Sequence, residues 1–283
     1  LRQRAQLAEQ VDSVLHMAAS LNRKSEKACV NSNLRGTLSV LGLAREIANT
    51  SGLRRFSHVS TVAVCGERDR EIVYEDTAID WALSDYDPYG RTKKFCEHMV
   101  SELLPDIDKT FFRPSIVMGD STRPETTQFD MVRAFCGLAD MPIIPLRPET
   151  RLDIVPADFV GEAIARLHLA EKTRYERYHL ASGRTSVTAA QIAVAMRAVG
   201  KQMRFAPRLA TSFEWAVRGM NRLPRGNALQ PTGALMKVFW PYIKFDTVFD
   251  NNRVTSELDL RPAPFVNYCA DLYRFSTGSD YRY

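Results

Sequence analysis

The sequence lacks several features that would place it in common protein classes. No run of about 18 apolar residues occurs, which argues against a membrane span, and no basic flank precedes an apolar segment near the start, which argues against a signal peptide. The five cysteines stand far apart without a CxxC pair, so we expect neither a disulfide framework nor a zinc site. The histidines show no ligand spacing either, and we expect no metal. These absences predict a protein of the cytoplasm.

A concentrated basic segment is also absent. The net charge is +5 and the pI is near 9.0, but the lysines and arginines are scattered along the chain. We therefore expect no nucleic-acid binding, and an anionic substrate or a dinucleotide accounts for a basic cleft equally well. With 283 residues, 45% of them hydrophobic, the chain is long enough to bury a large core.

The most informative residues that are present are a tyrosine and a lysine four positions apart, Tyr89 and Lys93. On a helix they share one face, so the lysine ammonium can lie close to the phenol oxygen. A nearby positive charge favours the phenolate and lowers the phenol's pKa from its usual value of about 10. Ser60 or Thr61, which follow a β-rich segment, can hold a substrate carbonyl while the tyrosine transfers a proton. The structural alternative is that either hydroxyl simply caps the end of a strand.

Four sequence blocks in chain order surround these residues. Residues 11–19 predict a strand that ends at His16, and residues 56–66 predict a β-rich segment that ends at Gly66. A helix is predicted to begin at Tyr89 after the turn signal Asp87-Pro88, and residues 112–119 predict another strand. Together the blocks resemble the active-site segments of the extended short-chain dehydrogenases/reductases. Aligned on Gly66, the resemblance places the catalytic hydroxyl on Thr61, with Ser60 as its neighbour.

Within that superfamily the sequence is most similar to the acyl-thioester reductases, also called the fatty acyl-CoA reductase or male-sterility type. The phrases that carry this similarity are Asn33 to Thr37, His58 to Thr61, Leu152 to Val160, Tyr178 to Gly183 and Phe249 to Asn251. The resemblance implies an NAD(P)H-dependent reductase that converts a thioester of coenzyme A or a carrier protein to an aldehyde or an alcohol. Members often pair through the helix that bears the tyrosine and lysine, which is compatible with a homodimer.

The resemblance also implies the residues that bind the cofactor, which is NADP or NAD. Lys93 would bind the nicotinamide ribose and tune Tyr89, which itself lies beside the nicotinamide. Pro114, Ser115 and Ile116 would flank the nicotinamide, and Ala18 and Ala19 would pass beneath the adenosine-side ribose. Asn33 would order the backbone and water of the site, whereas the structural alternative makes it a helix N-cap.

The family's fold begins with a glycine-rich turn that approaches the dinucleotide pyrophosphate, and no GxGxxG or GxxGxxG is present here. The predicted fold is therefore α/β, an N-terminally truncated doubly wound parallel (Rossmann-like) sheet with a mostly helical C-terminal substrate-binding subdomain. We expect residues 1–120 to form the partial cofactor-binding core and residues 121–283 the substrate-binding region, with residues 151–182 returning to the core.

Two other functions are consistent with the same residues. One is a sugar-nucleotide epimerase/dehydratase or hydroxysteroid-type ketone reductase of the superfamily, and the other is an inactive fragment that lacks the dinucleotide-binding turn. The aromatic-rich segment 209–241 has enough large apolar side chains to line a pocket or to lie against a membrane surface, and the structural alternative is an ordinary helical core. Asp153 and Asp158 are expected to serve as a turn residue and a helix N-cap.

Overall fold

The centre of the structure, a computed structural model that describes residues 2–224, 226–227 and 229–282, is a parallel four-stranded sheet. Its strand order is β1 (Ser13–His16), β2 (Arg55–Val59), β4 (Lys109–Pro114) and β9 (Arg177–Leu180). Within the described residues, the outer edge of β1 has no strand partner. The sheet confirms the predicted Rossmann-like α/β fold.

Shorter strands form pairs outside this sheet. They are β3 (Ile72–Val73), β5 (Ile116–Val117), β6 (Ile143–Ile144), β7 (Arg151–Leu152), β8 (Ile154–Val155), β10 (Val187–Thr188), β11 (Arg204–Phe205) and β12 (Val248–Phe249). The helices are α1 (Arg2–Gln10), α2 (Glu26–Cys29), α3 (Gly36–Thr50), α4 (Pro88–Leu103), α5 (Phe129–Ala139), α6 (Ala157–Leu169), α7 (Ala189–Ala195), α8 (Ala210–Asn221), α9 (Gln230–Lys244), α10 (Asn252–Leu258) and α11 (Cys269–Gly278).

Helices cover both faces of the sheet, because the side chains of each strand alternate between them. On β4, Phe111 packs with α3 and α4, and the adjacent Phe112 packs with α6 on the opposite face. The apolar residues of segment 36–49 have the spacing that predicts a packed crossover helix, and this helix is present as α3. This two-sided packing fixes α4, the helix that carries Tyr89 and Lys93, against the sheet.

The C-terminal part is mostly helical, as predicted, and has its own apolar cluster. Within it α8 and α9 lie against each other so closely at Gly233 that a Cβ atom there would be 2.5 Å from Cβ of Met220. The backbone nitrogen of Asn221 would be only 2.6 Å away. Glycine at this position therefore sets the distance between the two helices. The division of the chain at residue 120 stays a prediction.

Three local predictions are wrong. Residues 62–65 do not continue the strand but form a buried 3₁₀ turn, because Thr61 accepts a hydrogen bond from the Ala63 N–H and so caps the turn. Asp158 does not cap α6; Pro156 precedes that helix, and the carboxylate instead accepts hydrogen bonds from Ser121. Asn33 lies inside a π-helical turn, Val30–Arg35, and its side chain is not a cap.

Candidate active site

A cavity of about 890 Å³ lies where three neighbouring strands end. Residues that follow the carboxyl ends of β1, β2 and β4 line it, which is where parallel sheets of this kind hold their ligands. The predicted site residues that line the cavity are Ala19, Ser60, Thr61, Tyr89, Lys93, Pro114, Ser115 and Ile116. The fold thus gathers most of the candidate residues around one space.

The adjacent hydroxyls of Ser60 and Thr61 differ in their hydrogen bonds. Thr61 Oγ1 accepts the Ala63 N–H at 3.3 Å and donates a long hydrogen bond, 3.5 Å, to the carbonyl of Pro114. Ser60 Oγ is buried and has no hydrogen-bond partner among the residues that the structure describes. Both structural and chemical roles are therefore open to Thr61, while the buried hydroxyl of Ser60 makes no hydrogen bond in the described part of the chain.

Tyr89 and Lys93 both lie in the first two turns of α4, whose N-terminus is capped by Asp87 through a 2.8 Å hydrogen bond from the Gly90 N–H. Lys93 Nζ donates to the carbonyl of Val59 at 2.7 Å, so the ammonium is fixed at the end of β2. Burial lowers the pKa of Lys93. The helix thus presents both side chains to the cavity, as the spacing predicts.

The electrostatic environment of Tyr89 differs from the prediction. Burial raises the pKa of the phenol, and the cation that opposes this increase is Arg23 rather than Lys93. The guanidinium carbon of Arg23 lies 4.5 Å from the centre of the Tyr89 ring, over its face. A cation in that position is attracted by the ring's quadrupole as well as by any phenolate charge.

Arg23 lies in the loop after β1, and its side chain connects this loop to the N-terminus of α4 and to α9 at the cavity wall. Its Nη1 donates to Asp87 Oδ2 at 3.0 Å and to the hydroxyl of Tyr242, on α9, at 2.6 Å. Tyr242 in turn donates to the same Asp87 oxygen at 2.9 Å and stacks on Tyr86, with ring centres 4.7 Å apart. No sequence pattern predicts this cluster, because its members are distant in the chain.

Two predicted cofactor residues do not line the cavity. Ala18 is exposed at the surface, next to Ala19, which does line it. Asn33 is buried behind the site, where Oδ1 accepts the Ser20 N–H at 2.7 Å and Nδ2 donates to Thr92 Oγ1 at 2.9 Å. Because Thr92 lies between Tyr89 and Lys93 in the sequence, Asn33 connects the loop after β1 to α4.

A buried ion pair holds α4 on the side that faces the sheet. Arg113, on β4, donates to both carboxylate oxygens of Glu97, on α4, at 2.9 and 2.6 Å. Such two-bond pairs fix orientation as well as distance. The pair therefore sets how α4 sits on the strand whose end carries Pro114 and Ser115.

Asp153, predicted as a turn residue, is instead buried between β7 and β8 and lines the cavity. Its Oδ1 accepts the Ser182 N–H at 2.7 Å, and burial raises the pKa of the carboxyl to about 6. A periodicity argument cannot find such a residue, since it lies between two strands of only two residues each.

Between residues 2 and 282, leaving out 225 and 228, no three His, Cys, Asp or Glu side chains are grouped so that they could hold a metal ion. Within the same residues, no helix combines the length and the apolar character that crossing a membrane requires.

Comparison with known proteins gives consistent matches. The sequence model of the male sterility protein family, an NAD-binding family, matches residues 2–164. The chain is 29% identical over 182 residues to glycine betaine reductase ATRR of Emericella nidulans, covering 61% of this chain and 14% of that protein. It is 29% identical over 160 residues to the fatty acyl-CoA reductase wat of Drosophila melanogaster, covering 48% of this chain and 30% of that protein. The chain thus spans less than a third of the length of these curated relatives.

Solved structures share the fold over almost the whole chain. The terminal R domain of the myxalamid PKS-NRPS pathway superimposes with a TM-score of 0.79 at 20% identity, covering 99% of this chain and 72% of that one. A thiolation-reductase di-domain from an archaeal non-ribosomal peptide synthetase gives 0.71 at 15% identity, covering 99% and 60%. At these identities the likeness concerns the fold.

Proposed function

Because the chain belongs to the male sterility protein family of NAD-binding proteins, we propose that it reduces an acyl thioester with NADPH or NADH. The observation that carries the proposal is the single cavity in which Ser60, Thr61, Tyr89 and Lys93 meet. The product is an aldehyde, or an alcohol if a second hydride follows. The reductase names of both curated relatives support this choice.

The proposed roles follow from the position of each side chain. Thr61 exchanges its long hydrogen bond to the Pro114 carbonyl for one to the thioester carbonyl, with the unpartnered hydroxyl of Ser60 beside it. Tyr89 protonates the carbonyl oxygen as negative charge develops there. Lys93 binds the nicotinamide ribose. The dinucleotide, when bound, supplies the hydride. Once the carbonyl carbon has accepted it, the carbon–sulfur bond of the hemithioacetal breaks and the thiol leaves with a proton.

The residues present fit the nicotinamide half of such a cofactor. Pro114, Ser115 and Ile116 line the cavity next to the catalytic side chains, and the hydroxyls of Ser60 and Ser115 lack partners among the described residues. Unpartnered polar atoms at a cavity surface are the groups that a polar ligand would satisfy. The pyrophosphate has no matching glycine-rich turn in this sequence.

The substrate end of the cavity favours an apolar acyl group over a sugar. Phe239 and Tyr242 of α9, together with Phe245 just after it, contribute an aromatic wall. Aromatic surface of this kind stabilises an alkyl chain by removing it from water. A carrier protein is a candidate donor of the thioester, because a structural relative is a thiolation-reductase di-domain.

Location and assembly belong to the same proposal. We place the protein in the cytoplasm, where its five buried, unpaired thiols would stay reduced. A homodimer through α4 is supported by exposed apolar side chains on or near that helix, at Trp81, Phe95 and Leu103. Light scattering of the full-length protein would measure the oligomeric state.

The experiment that tests the function is NADPH oxidation by the full-length protein against acyl-CoAs, sugar nucleotides and simple ketones. We expect turnover with acyl-CoAs. Activity confined to sugar nucleotides or ketones would assign the protein to those branches of the superfamily, and no activity with any substrate would leave the inactive interpretation.

Substitutions then separate the roles. Tyr89→Phe should lower turnover by ~10²- to 10⁴-fold, because it removes a general acid and little else. Lys93→Ala should be at least as damaging. Thr61→Val should cost ~10²- to 10³-fold, as for one oxyanion donor, and Ser60→Ala should cost less. A larger loss for Ser60→Ala than for Thr61→Val would transfer the carbonyl contact to Ser60.

A further inference from the structure

The segment that contains α8 and α9 holds the whole excess of positive charge in this chain. Residues 204–245 include seven lysines and arginines but one acidic residue, Glu214, which gives a net charge of +6. The other residues, with 31 basic and 32 acidic side chains, sum to −1. Lysines and arginines occur along the whole chain, but in this segment they lack balancing carboxylates. A surface of one sign attracts a partner of the opposite sign.

The single carboxylate of this segment is occupied inside the helix pair. Glu214 accepts hydrogen bonds from Trp240 Nε1 at 3.0 Å and from Lys244 Nζ at 3.2 Å, and both donors belong to α9. From residue 215 to residue 245 the sequence has no aspartate or glutamate. The exposed side chains of Arg218 and Arg222 make no ion pair with any carboxylate of the described residues. Their charges are therefore open to a partner outside the chain.

An exposed tryptophan lies beside these arginines on α8. Trp215 is 68% exposed, although an indole is usually covered in a folded protein. Arg218 follows it by three residues and Arg222 by seven, so the three side chains form one row along the outer side of the helix. We call them the outer row. Leu209 and Leu229, which precede α8 and α9, are exposed as well, and none of the five side chains lines the cavity.

The composition of the outer row favours a lipid surface as its partner. Tryptophan has an apolar ring and one N–H, and it is enriched where hydrocarbon meets water at a membrane. Arginine binds phosphate and carboxylate groups, which are the charged parts of anionic lipids. Tryptophan and arginine also anchor protein interfaces. A protein partner, however, presents cations as well as anions, and the outer row has no acidic side chain to meet them.

We propose that the outer row, together with Leu209 and Leu229, binds the surface of a membrane that contains anionic phospholipids. Apolar side chains enter the head-group region while the neighbouring cations attract the lipids, as in helices that lie on a membrane without crossing it. The cytoplasmic leaflet of cell membranes carries such lipids. This binding is separate from the proposed reaction and does not require it.

Sedimentation of the full-length protein with lipid vesicles tests the inference. The vesicles contain phosphatidylcholine alone or phosphatidylcholine mixed with phosphatidylserine, and no substrate or cofactor is added. We expect binding to the mixed vesicles to be at least about tenfold tighter than to phosphatidylcholine alone, because two arginines gain from the negative surface. Binding should weaken as the salt concentration rises, since salt screens exposed charges.

A double substitution separates this surface from the charge of the protein as a whole. Arg218→Gln combined with Arg222→Gln should weaken binding to the mixed vesicles by about 25-fold, a factor of about five for each arginine. The matched control is Arg35→Gln combined with Arg174→Gln, which removes the same charge at two exposed positions elsewhere. It should change binding by less than about twofold. Thermal unfolding should be unchanged in both variants, because all four side chains are exposed.

Tryptophan fluorescence reports where the contact forms. The emission of an exposed indole moves to shorter wavelength when the ring passes from water into a lipid surface. We expect mixed vesicles to cause this shift in the wild-type protein and in Trp81→Phe, which replaces another exposed tryptophan, but not in Trp215→Phe. Trp215→Ser should also weaken vesicle binding by about tenfold, because burial of a large apolar side chain is lost.

Four results would overturn the inference. They are a wild-type protein that binds no vesicles, equal binding to both kinds of vesicle, equal losses in the two double variants, and a fluorescence shift that persists in Trp215→Phe. If vesicles are not bound but Arg218→Gln with Arg222→Gln raises the KM for a thioester on a carrier protein, the outer row contacts an acidic protein instead. Because vesicle binding is measured without the reaction, failure of the proposed function would leave these results unchanged.

Discussion

Two arginine–carboxylate pairs hold α4, the helix that carries Tyr89 and Lys93, one on the side that faces the sheet (the lower pair) and one at its N-terminus (the upper pair). Arg113 and Glu97 form the lower pair, with side chains 1% and 3% exposed, and Arg23 and Asp87 form the upper pair, with side chains 18% and 6% exposed. The lower pair connects two rigid elements, β4 and α4. The upper pair connects a loop to the helix end and, through Tyr242, to α9.

The difference between the pairs separates two tasks. Removing one partner of a buried pair leaves an uncompensated charge, so the lower pair mainly determines whether α4 is in place. The upper pair lies at a cavity that water can enter, where a lost partner is partly replaced by solvent. It therefore affects the position of the cavity wall and the ring of Tyr89 more than the stability of the fold.

The largest effect is expected for Glu97→Ala. This change leaves the guanidinium of Arg113 buried without its carboxylate, and we expect the free energy of unfolding to fall by about 3–5 kcal/mol. Urea denaturation followed by circular dichroism measures it. Glu102→Ala is the control, on the same helix but exposed, and should change stability by less than about 0.5 kcal/mol. Equal losses in the free energy of unfolding for the two variants would show that the lower pair does not hold α4 in place.

A smaller effect on stability is expected for Arg23→Met, which keeps the length of the side chain but removes its charge and hydrogen bonds. The free energy of unfolding should fall by about 1–2 kcal/mol. Hydrogen exchange should accelerate in residues 86–92 and 230–244 together, because Arg23 joins them. Arg45→Met, which breaks an exposed pair with Asp106, should leave both segments unchanged. Protection lost in only one segment would contradict the coupling.

Tyr242→Phe tests the link from α9 alone. The substitution keeps the ring that stacks on Tyr86 and removes the hydroxyl that contacts Arg23 and Asp87. We expect a loss of about 1 kcal/mol in the free energy of unfolding and an increase in the KM for an acyl thioester with little change in kcat. A reduced kcat at unchanged KM would mean that the hydroxyl acts on the chemistry instead of on the wall.

The smallest change is a shift in pH dependence. Burial, Asp87, Cys29 and Cys96 raise the pKa of Tyr89, and Arg23 lowers it, so Arg23→Met should raise it further. In the proposed mechanism Tyr89 is the proton donor, so reduction would need the protonated phenol and would be lost as pH rises through this pKa. The alkaline limb of the pH–rate profile should therefore move to higher pH in Arg23→Met and stay in place in Tyr242→Phe. A limb that moves to lower pH would contradict the assigned sign.

The sequence predicted those parts of the molecule that depend on neighbouring residues. The strand that ends at His16, the helix at residues 36–49 and the helix after Asp87-Pro88 follow from local apolar spacing and capping, and all three are present. The i, i+4 relation of Tyr89 and Lys93 needs only a helix. The prediction that Tyr89 and Lys93 share a cavity with Thr61 depended on the family resemblance as well.

Contacts between distant residues could not be predicted in the same way. Arg23, Asp87 and Tyr242 are brought together only by the tertiary fold, and the sign of the change in the pKa of Tyr89 depends on burial, which a spacing argument does not measure. Asp153 was assigned to a turn because aspartate favours turns, but the short strands β7 and β8 place it inside.

The close approach of α8 and α9 at Gly233 allows a residue outside the cavity to affect the position of the cavity wall. Tyr242 lies nine residues further along α9, about 13 Å at 1.5 Å per residue. Any side chain at position 233 must push the helices apart, since Met220 and the backbone of Asn221 leave no room for a Cβ atom. A shift of α9 would then move Phe239 and Tyr242, which line the cavity, to new positions. A substitution at Gly233, which does not line the cavity, could thus change which acyl groups of the proposed substrate fit, although every residue that contacts the acyl group stays the same.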